Sequence, residues 1–244
     1  MFLSLSLAAA AGPPFLTDDP EPVDFKNWEA YLFSALDDAS GKRTFSGPAL
    51  ELNYGAAPEL QIHLEVPTVW SIPKVGRSSS GLGDIELGFK VRFVQETDTQ
   101  PQIGVFPMIE FPTGYASRGL GNGKAWFKLP LWFQKSWGDW TTYGGGGYAF
   151  NHAPGQRDYA FGGWLLQRSV GDRLTLGGEV FSRGADSRPG RSTALANAGG
   201  IYEVTPHFSL LFSAGRSFEG ERHTVAYLGL YWTWGPEKKL SDAS

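Results

Sequence analysis

The groups of this sequence that could do chemistry are four histidines and a series of charged residues at alternate positions. His63 stands two residues from both Gln61 and Glu65, so an extended chain puts the three side chains on one face. An imidazole beside a carboxylate is half of a general-base pair or the start of a metal site. Two ligands are only a start, so no metal is expected. His152, His207 and His223 stand apart from it. There is no Gly-x-Ser-x-Gly elbow and no His-Glu-x-x-His. With Cys 0, thiolate catalysis, thiolate metal sites and disulfides are excluded. The run Gly144 to Gly147 is no phosphate loop, because no Gly-Lys-Ser/Thr follows it. A triad can still assemble from distant positions. A hydrolase therefore stays open as the third reading, but no catalytic residue and no cofactor is assigned.

The charged residues are more informative through their alternation. Ile85, Leu87, Phe89, Val91 and Phe93 share one face of a strand; Asp84, Glu86, Gly88, Lys90 and Arg92 share the other. In a membrane barrel the apolar face meets lipid and the charged face lines the lumen. In a soluble sandwich the apolar face would be core. The same logic places Glu51, His63, Glu65, Asp84, Glu86, Lys90, Arg92, Glu110, Lys124, Lys128, Glu179 and Arg183 on inward faces, with Asn53, Gln61 and Gln134. They either line a pore of mixed charge or form an ion-pair network that holds the lumen shut.

Twelve strands are needed to position them: about 25–36, 48–56, 60–71, 83–95, 101–112, 123–136, 140–150, 158–169, 173–184, 193–204, 208–218 and 223–234. No run of about 18 apolar residues offers a membrane helix, so a spanning chain must close as a barrel. The connections alternate. Ala57-Pro58-Glu59, 97–99, Gly138-Asp139, Gly171-Asp172 and 205–207 are short; 37–47, 72–82, 113–122, 151–157 and 185–192 are longer. That is the habit of outer-membrane barrels. Trp137, Trp140, Trp232 and Trp234 fall near one end of the strands. Trp70, Phe111, Trp126, Phe150 and Tyr159 fall near the other, as interfacial belts require. Pro107 and Pro130 fall mid-strand, where a ladder donor is lost. The expected fold class is all-β: a closed antiparallel up-and-down transmembrane barrel. Gly 32, 14% aromatics and only 19% charged residues suit many strands and turns. A net charge of -4 without a basic run gives no case for nucleic acid.

Outside the barrel at 25–234, residues 1–11 read as the remnant of a signal peptide, though without a basic residue before the apolar core. Residues 12–24 read as a polar periplasmic segment, and 235–244, with Lys238 and Lys239, as a solvated tail. Asp18, Asp19 and Glu21 carry the alternative that the segment folds into the lumen as a plug. The loop from Gly114 to Gly123 either constricts the pore or stays on the surface. Gly229, Trp232 and Trp234 end the chain in a Gly-x-x-aromatic-x-aromatic pattern. It resembles the signal by which the barrel assembly machinery recognises its substrates.

Several motifs occur in a familiar order. Thr17-Asp-Asp-Pro-Glu-Pro22 is followed by Trp28-Glu29 and by Glu51-Leu-Asn-Tyr-Gly55. Gly83-Asp-Ile-Glu-Leu-Gly-Phe-Lys90, Phe111-Pro-Thr-Gly114, Gly119-Leu-Gly-Asn-Gly123 and Phe212-Ser-Ala-Gly-Arg216 come after them. From Phe15 to Trp234 the chain resembles the Gram-negative outer-membrane transporters of the "MetA-pathway of phenol degradation" family. The resemblance implies an outer-membrane barrel and uptake of small, often aromatic, compounds. It supplies no catalytic residues.

The function expected is passage of small molecules by diffusion through a narrow polar lumen, in a monomer embedded in outer-membrane lipid. Charges of the third to sixth strands would set selectivity. Eight strands are filled by side chains and sixteen leave a channel, so twelve imply a narrow or partly plugged pore. A closed structural or surface-interaction barrel is the alternative.

Overall fold

The computed structural model describes residues 13–236. The leader and the tail lysines lie outside the described residues. Twelve staves form one closed antiparallel barrel: β1 (Trp28–Ala39), β2 (Lys42–Ala57), β3 (Leu60–Pro73), β4 (Ser79–Leu82) with β5 (Ile85–Val94), β6 (Gln102–Val105) with β7 (Met108–Phe111), β8 (Trp126–Trp137), β9 (Trp140–Phe150), β10 (Tyr159–Val170), β11 (Leu174–Arg183), β12 (Thr193–Thr205), β13 (Phe208–Gly220) and β14 (His223–Trp234). β4 is a short return lying on β3, and β6 and β7 are halves of one stave. The seam closes by pairing β1 with β14, from Trp28 opposite Trp234 to Ala39 opposite His223.

Alternation decides which face is which. Leu32, Leu50, Ile62, Phe89, Leu129, Leu131, Trp164, Leu166, Val180 and Leu228 point outward and are exposed, while Glu51, Glu65, Glu86, Lys90, Glu110 and Lys128 are buried inside. A soluble protein does the reverse, so the sandwich reading is excluded. An apolar band this continuous requires a hydrocarbon surround. At the rim that carries the short turns, Trp28 and Trp234 stack across the seam with ring centroids 6.0 Å apart.

The structure corrects four sequence expectations. The link 37–47 is not a loop: β1 and β2 continue to a tight turn at Ser40 and Gly41. A bulge between Ser46 and Ala49 absorbs Gly47-Pro48 and breaks the alternation that would have revealed the longer strands. Trp126 belongs to no belt, because it faces inward and is 6% exposed, opposite Glu110. Tyr159 is only half-exposed. Pro107 ends β6 and, with Phe106, separates it from β7. Pro130, by contrast, stays within β8, fully buried, and its carbonyl accepts the Phe106 N–H at 3.3 Å.

The glycine run of β9 is required by close approach. Gly145 lies opposite Trp132 on β8 and Gly163 on β10. With φ at +151°, a Cβ there would strike the Leu131 carbonyl oxygen. Overpacking of this kind costs roughly 1–3 kcal/mol or more. Gly145→Val is therefore expected to lower sharply the yield of refolded barrel, measured as the heat-modifiable band on a denaturing gel. Gly41→Ala, in the open β1–β2 turn with nothing within 4 Å of the new methyl and no left-handed φ, should refold with far smaller loss.

Candidate functional site: the lumen and its inner strap

The segment before β1 is not a solvated tail. Lys26 N–H donates to the Gly55 carbonyl at the short-turn rim, and the chain turns from there into the barrel. Val23 N–H donates to Gln61 at 3.0 Å. Glu21 accepts from Gln102 and Gln134. Asp18 is buried and pairs with Lys90 at 2.9 Å, and Asp19 stands 3.4 Å from the same ammonium. The N–H groups of Leu16 and Thr17 both donate at 2.8 Å to the Glu179 carboxylate, which Asn197 also supports. The Pro14 carbonyl accepts from Ser213, and Phe15 packs on Tyr143 and Leu165. These partners lie on β3, β5, β6, β8 to β13, so the segment is a strap across the lumen. Wall glycines make room for it: a Cβ on Gly163 would strike Thr17 Oγ1, and one on Gly104 would lie 3.0 Å from Pro20.

Beyond the strap, toward the longer loops, charged side chains cross the wall in rows. Glu51, Glu65, Glu86 and Glu110 face one another in turn on β2, β3, β5 and β7. Lys128 Nζ approaches Glu86 at 2.6 Å and Glu110 at 3.6 Å, beneath the Trp126 ring. His63 Nδ1 meets Asn53 at 2.8 Å. The sequence offered His63 one acidic neighbour; the register adds Glu86, with Nε2 3.4 Å from its Oε1.

The remaining sequence candidates scatter. Lys124 precedes β8 and is exposed, so it is removed from the lumen lining. Asp84 lies between β4 and β5, where it anchors the loop after β7. Its oxygens accept N–H bonds from Gly114 at 2.9 Å and Asn122 at 2.6 Å. Burial raises this carboxyl above its ordinary range against the pull of those bonds. Asn122 and Leu120 are thereby folded inward, while Ala116–Arg118 of the same loop stays exposed. Arg92 is half-buried and bonds Glu59 in the β2–β3 turn, holding that carboxyl below its ordinary range. Arg183 pairs with Asp186 at 3.3 Å. Gly229 faces inward beneath the Tyr227 ring, and Trp232 and Trp234 lie on the outward face of β14.

His223 and Asp37 make a buried pair at 2.8 Å, which is the orienting half of a hydrolytic triad. The free Nε2 of that ring faces Arg183 at 3.5 Å rather than a hydroxyl nucleophile. His152 pairs with Asp158 in an exposed loop, and His207 sits in a turn.

Sequence reasoning missed the opposite wall. Tyr31 and Tyr231 stack at 4.5 Å and both donate to Glu29, at 3.1 and 2.7 Å. The Glu29-x-Tyr31 spacing on the first strand was the available signal. Between this wall and the charged one lies a cavity of about 560 Å³, bounded by the strap. One side presents Glu51, His63, Glu86 and Lys90; the other presents Tyr31, Tyr143, Ile201 and Leu211 around the Glu29 carboxylate, which the Tyr31 and Tyr231 hydroxyls engage.

A closed twelve-stave antiparallel barrel with a polar interior and an apolar exterior defines the class: this is an outer-membrane β-barrel. Residues 33–233 match the family model described as "Putative MetA-pathway of phenol degradation", and the chain belongs to that family. No curated protein sequence matches it. Among solved structures it is similar to an outer membrane channel from Pseudomonas putida F1, at 15% identity and TM-score 0.71, over 88% of this chain and 98% of that one. It is also similar to the NanC porin, at 7% identity and TM-score 0.59 over 83% and 98% of the two chains. The KdgM porin, solved with disordered oligogalacturonate, aligns at 11% identity and TM-score 0.57 over 84% and 99%. At such identities the likeness extends to the fold.

Hydrogen bonds to a charged acceptor contribute about 1.5–3 kcal/mol each, and about 1.4 kcal/mol is a factor of ten. Glu179→Ala should therefore speed amide exchange at Leu16 and Thr17 by tenfold or more in hydrogen–deuterium exchange. Unchanged exchange would mean that the Lys90 pair alone holds the strap.

Proposed function

We propose that the barrel passes small amphipathic molecules by diffusion through the outer membrane of a Gram-negative bacterium. The cavity carries the reading: its two unlike walls offer ionic and hydrogen-bonding partners to one end of a solute and aromatic or aliphatic contact to the other. The strap is the constriction of this path. It crosses the lumen between those walls, so a solute must pass beside Asp18, Asp19, Glu21 and Lys90. Selectivity arises there rather than at Lys124. The family membership supports transport of small, often aromatic, compounds, and no catalytic role is assigned to any residue. The barrel works as a monomer in outer-membrane lipid, delivered by the assembly machinery through Gly229, Trp232 and Trp234.

The closed structural barrel remains the second reading, because the same strap fills much of the interior. Single-channel recording in a planar bilayer separates the two. The refolded protein should give discrete ohmic steps, and deletion of residues 13–22 should raise the step size at least twofold. Silence from folded, inserted wild-type protein would favour the structural reading. Equal conductance with and without the segment would remove the strap from the path.

A further inference from the structure

The row Glu51–Glu65–Glu86–Glu110 is chemically unusual. Like charges directly opposite each other destabilise a sheet, and carboxylates this buried persist only when neutralised. All four are 5% exposed or less. The cations facing the row are Lys128, which serves Glu86 and Glu110, and His63, which lies 3.5 Å from Glu51 and 3.4 Å from Glu86. Fully ionised, the four carboxylates would carry more negative charge than one lysine and one imidazole offset. Glu65 has no cationic partner within ion-pair distance among the described residues.

The unpartnered atoms converge. His63 Nε2, Glu65 Oε2 and Glu86 Oε1 are buried without a hydrogen-bond partner. Lys128 Nζ lies 2.6 Å from Glu86 Oε2, so Oε1 is the Glu86 oxygen left to face His63. One ligand atom from each of His63, Glu65 and Glu86 lies within 4.8 Å of the others. A zinc-type ion holds its nitrogen and oxygen ligands at about 2.0–2.1 Å in tetrahedral array, which sets neighbouring ligands roughly 3.3 Å apart. The observed separation of His63 Nε2 from Glu86 Oε1 is 3.4 Å. Gly88, opposite His63, leaves room for the Phe106 ring, which meets the imidazole edge-on at 5.3 Å between centroids and fixes its orientation. His63 and Glu86 also line the central cavity, which gives an ion its route in.

We propose that His63, Glu65 and Glu86 bind one divalent cation of the zinc type inside the barrel wall. The imidazole selects zinc-like ions over calcium and magnesium, which favour all-oxygen sites. The ion offsets the surplus charge of the row and ties β3 to β5 beside the permeation path.

The test uses the full-length barrel, refolded in detergent, checked by its heat-modifiable migration and freed of metal with a chelator. Zinc chloride is titrated calorimetrically, and bound metal is counted by atomic emission after dialysis. One Zn²⁺ per barrel is expected, with affinity at least tenfold weaker in Glu65→Gln and in His63→Gln, and unchanged in Glu219→Gln, an exposed carboxylate near the rim of β13. Glu65→Gln removes one charge from the crowded row, so the variant should still fold. Absence of uptake by folded wild-type protein would overturn the site. So would equal binding by Glu65→Gln, which would place the ion elsewhere, for instance at His152 and Asp158. Displacement of the zinc by millimolar calcium would overturn the choice of ion class. Metal uptake is read separately from conductance, so either proposal can fail alone.

Discussion

Hydrocarbon offers no partner to a backbone N–H or C=O, and every part of this protein answers to that constraint. The β1–β14 ladder, twelve residue pairs long, removes the two sheet edges that would otherwise face lipid. Once the sheet closes, the two-residue side-chain period leaves half the residues outside and half inside. Phe89 and Lys90 are adjacent in sequence and occupy different solvents: one meets lipid, the other an enclosed polar space. Interior charges must then find partners within a wall of fixed register.

Two solutions to that demand appear at different depths. Near the short-turn rim the strap supplies the missing partners, with backbone N–H groups for Glu179 and carboxylates for Lys90. The strap has little regular structure of its own, so its backbone groups are free to bond with the wall. Further in, beyond its reach, the carboxylates are left to one another, to Lys128 and to His63. Such pairs hold together only with good geometry and further hydrogen bonds. The lumen is polarised around its circumference too, with most charges on β2 to β8 and aromatic or aliphatic groups on β1, β9 and β12 to β14 gathered around the Glu29 carboxylate of β1.

How much of this was legible in the sequence depends on whether a feature is periodic. The face assignment of Glu86, Lys90, Lys128 and Glu179 followed from alternation alone. Lys124 has the right parity but lies beyond the strand end, and no local residue marks where β8 begins. Gly47-Pro48 disguised the true length of β1 and β2 because a bulge resets the alternation without ending the ladder. The strap was visible only as Asp18, Asp19 and Glu21 in an irregular stretch. Its partners are up to 199 residues away in the chain, and nothing periodic points to them. The third member of the His63 cluster depends on the register of β3 with β5, which a single sequence does not encode locally.

The Phe106-Pro107 interruption bears on the register of the wall. Pro107 and Pro130 sit at neighbouring steps on facing staves, and neither has an N–H to give. Each step retains a bond in one direction, Phe89 N–H to the Pro107 carbonyl and Phe106 N–H to the Pro130 carbonyl. The register is the same on both sides of the gap. Beside Lys90, Met108 and Trp132 the wall thus gives up ladder bonds without giving up register. A slip of one residue would turn every side chain of the stave to the other face, so the kept register is what leaves Met108 and Glu110 buried in the lumen beyond the break.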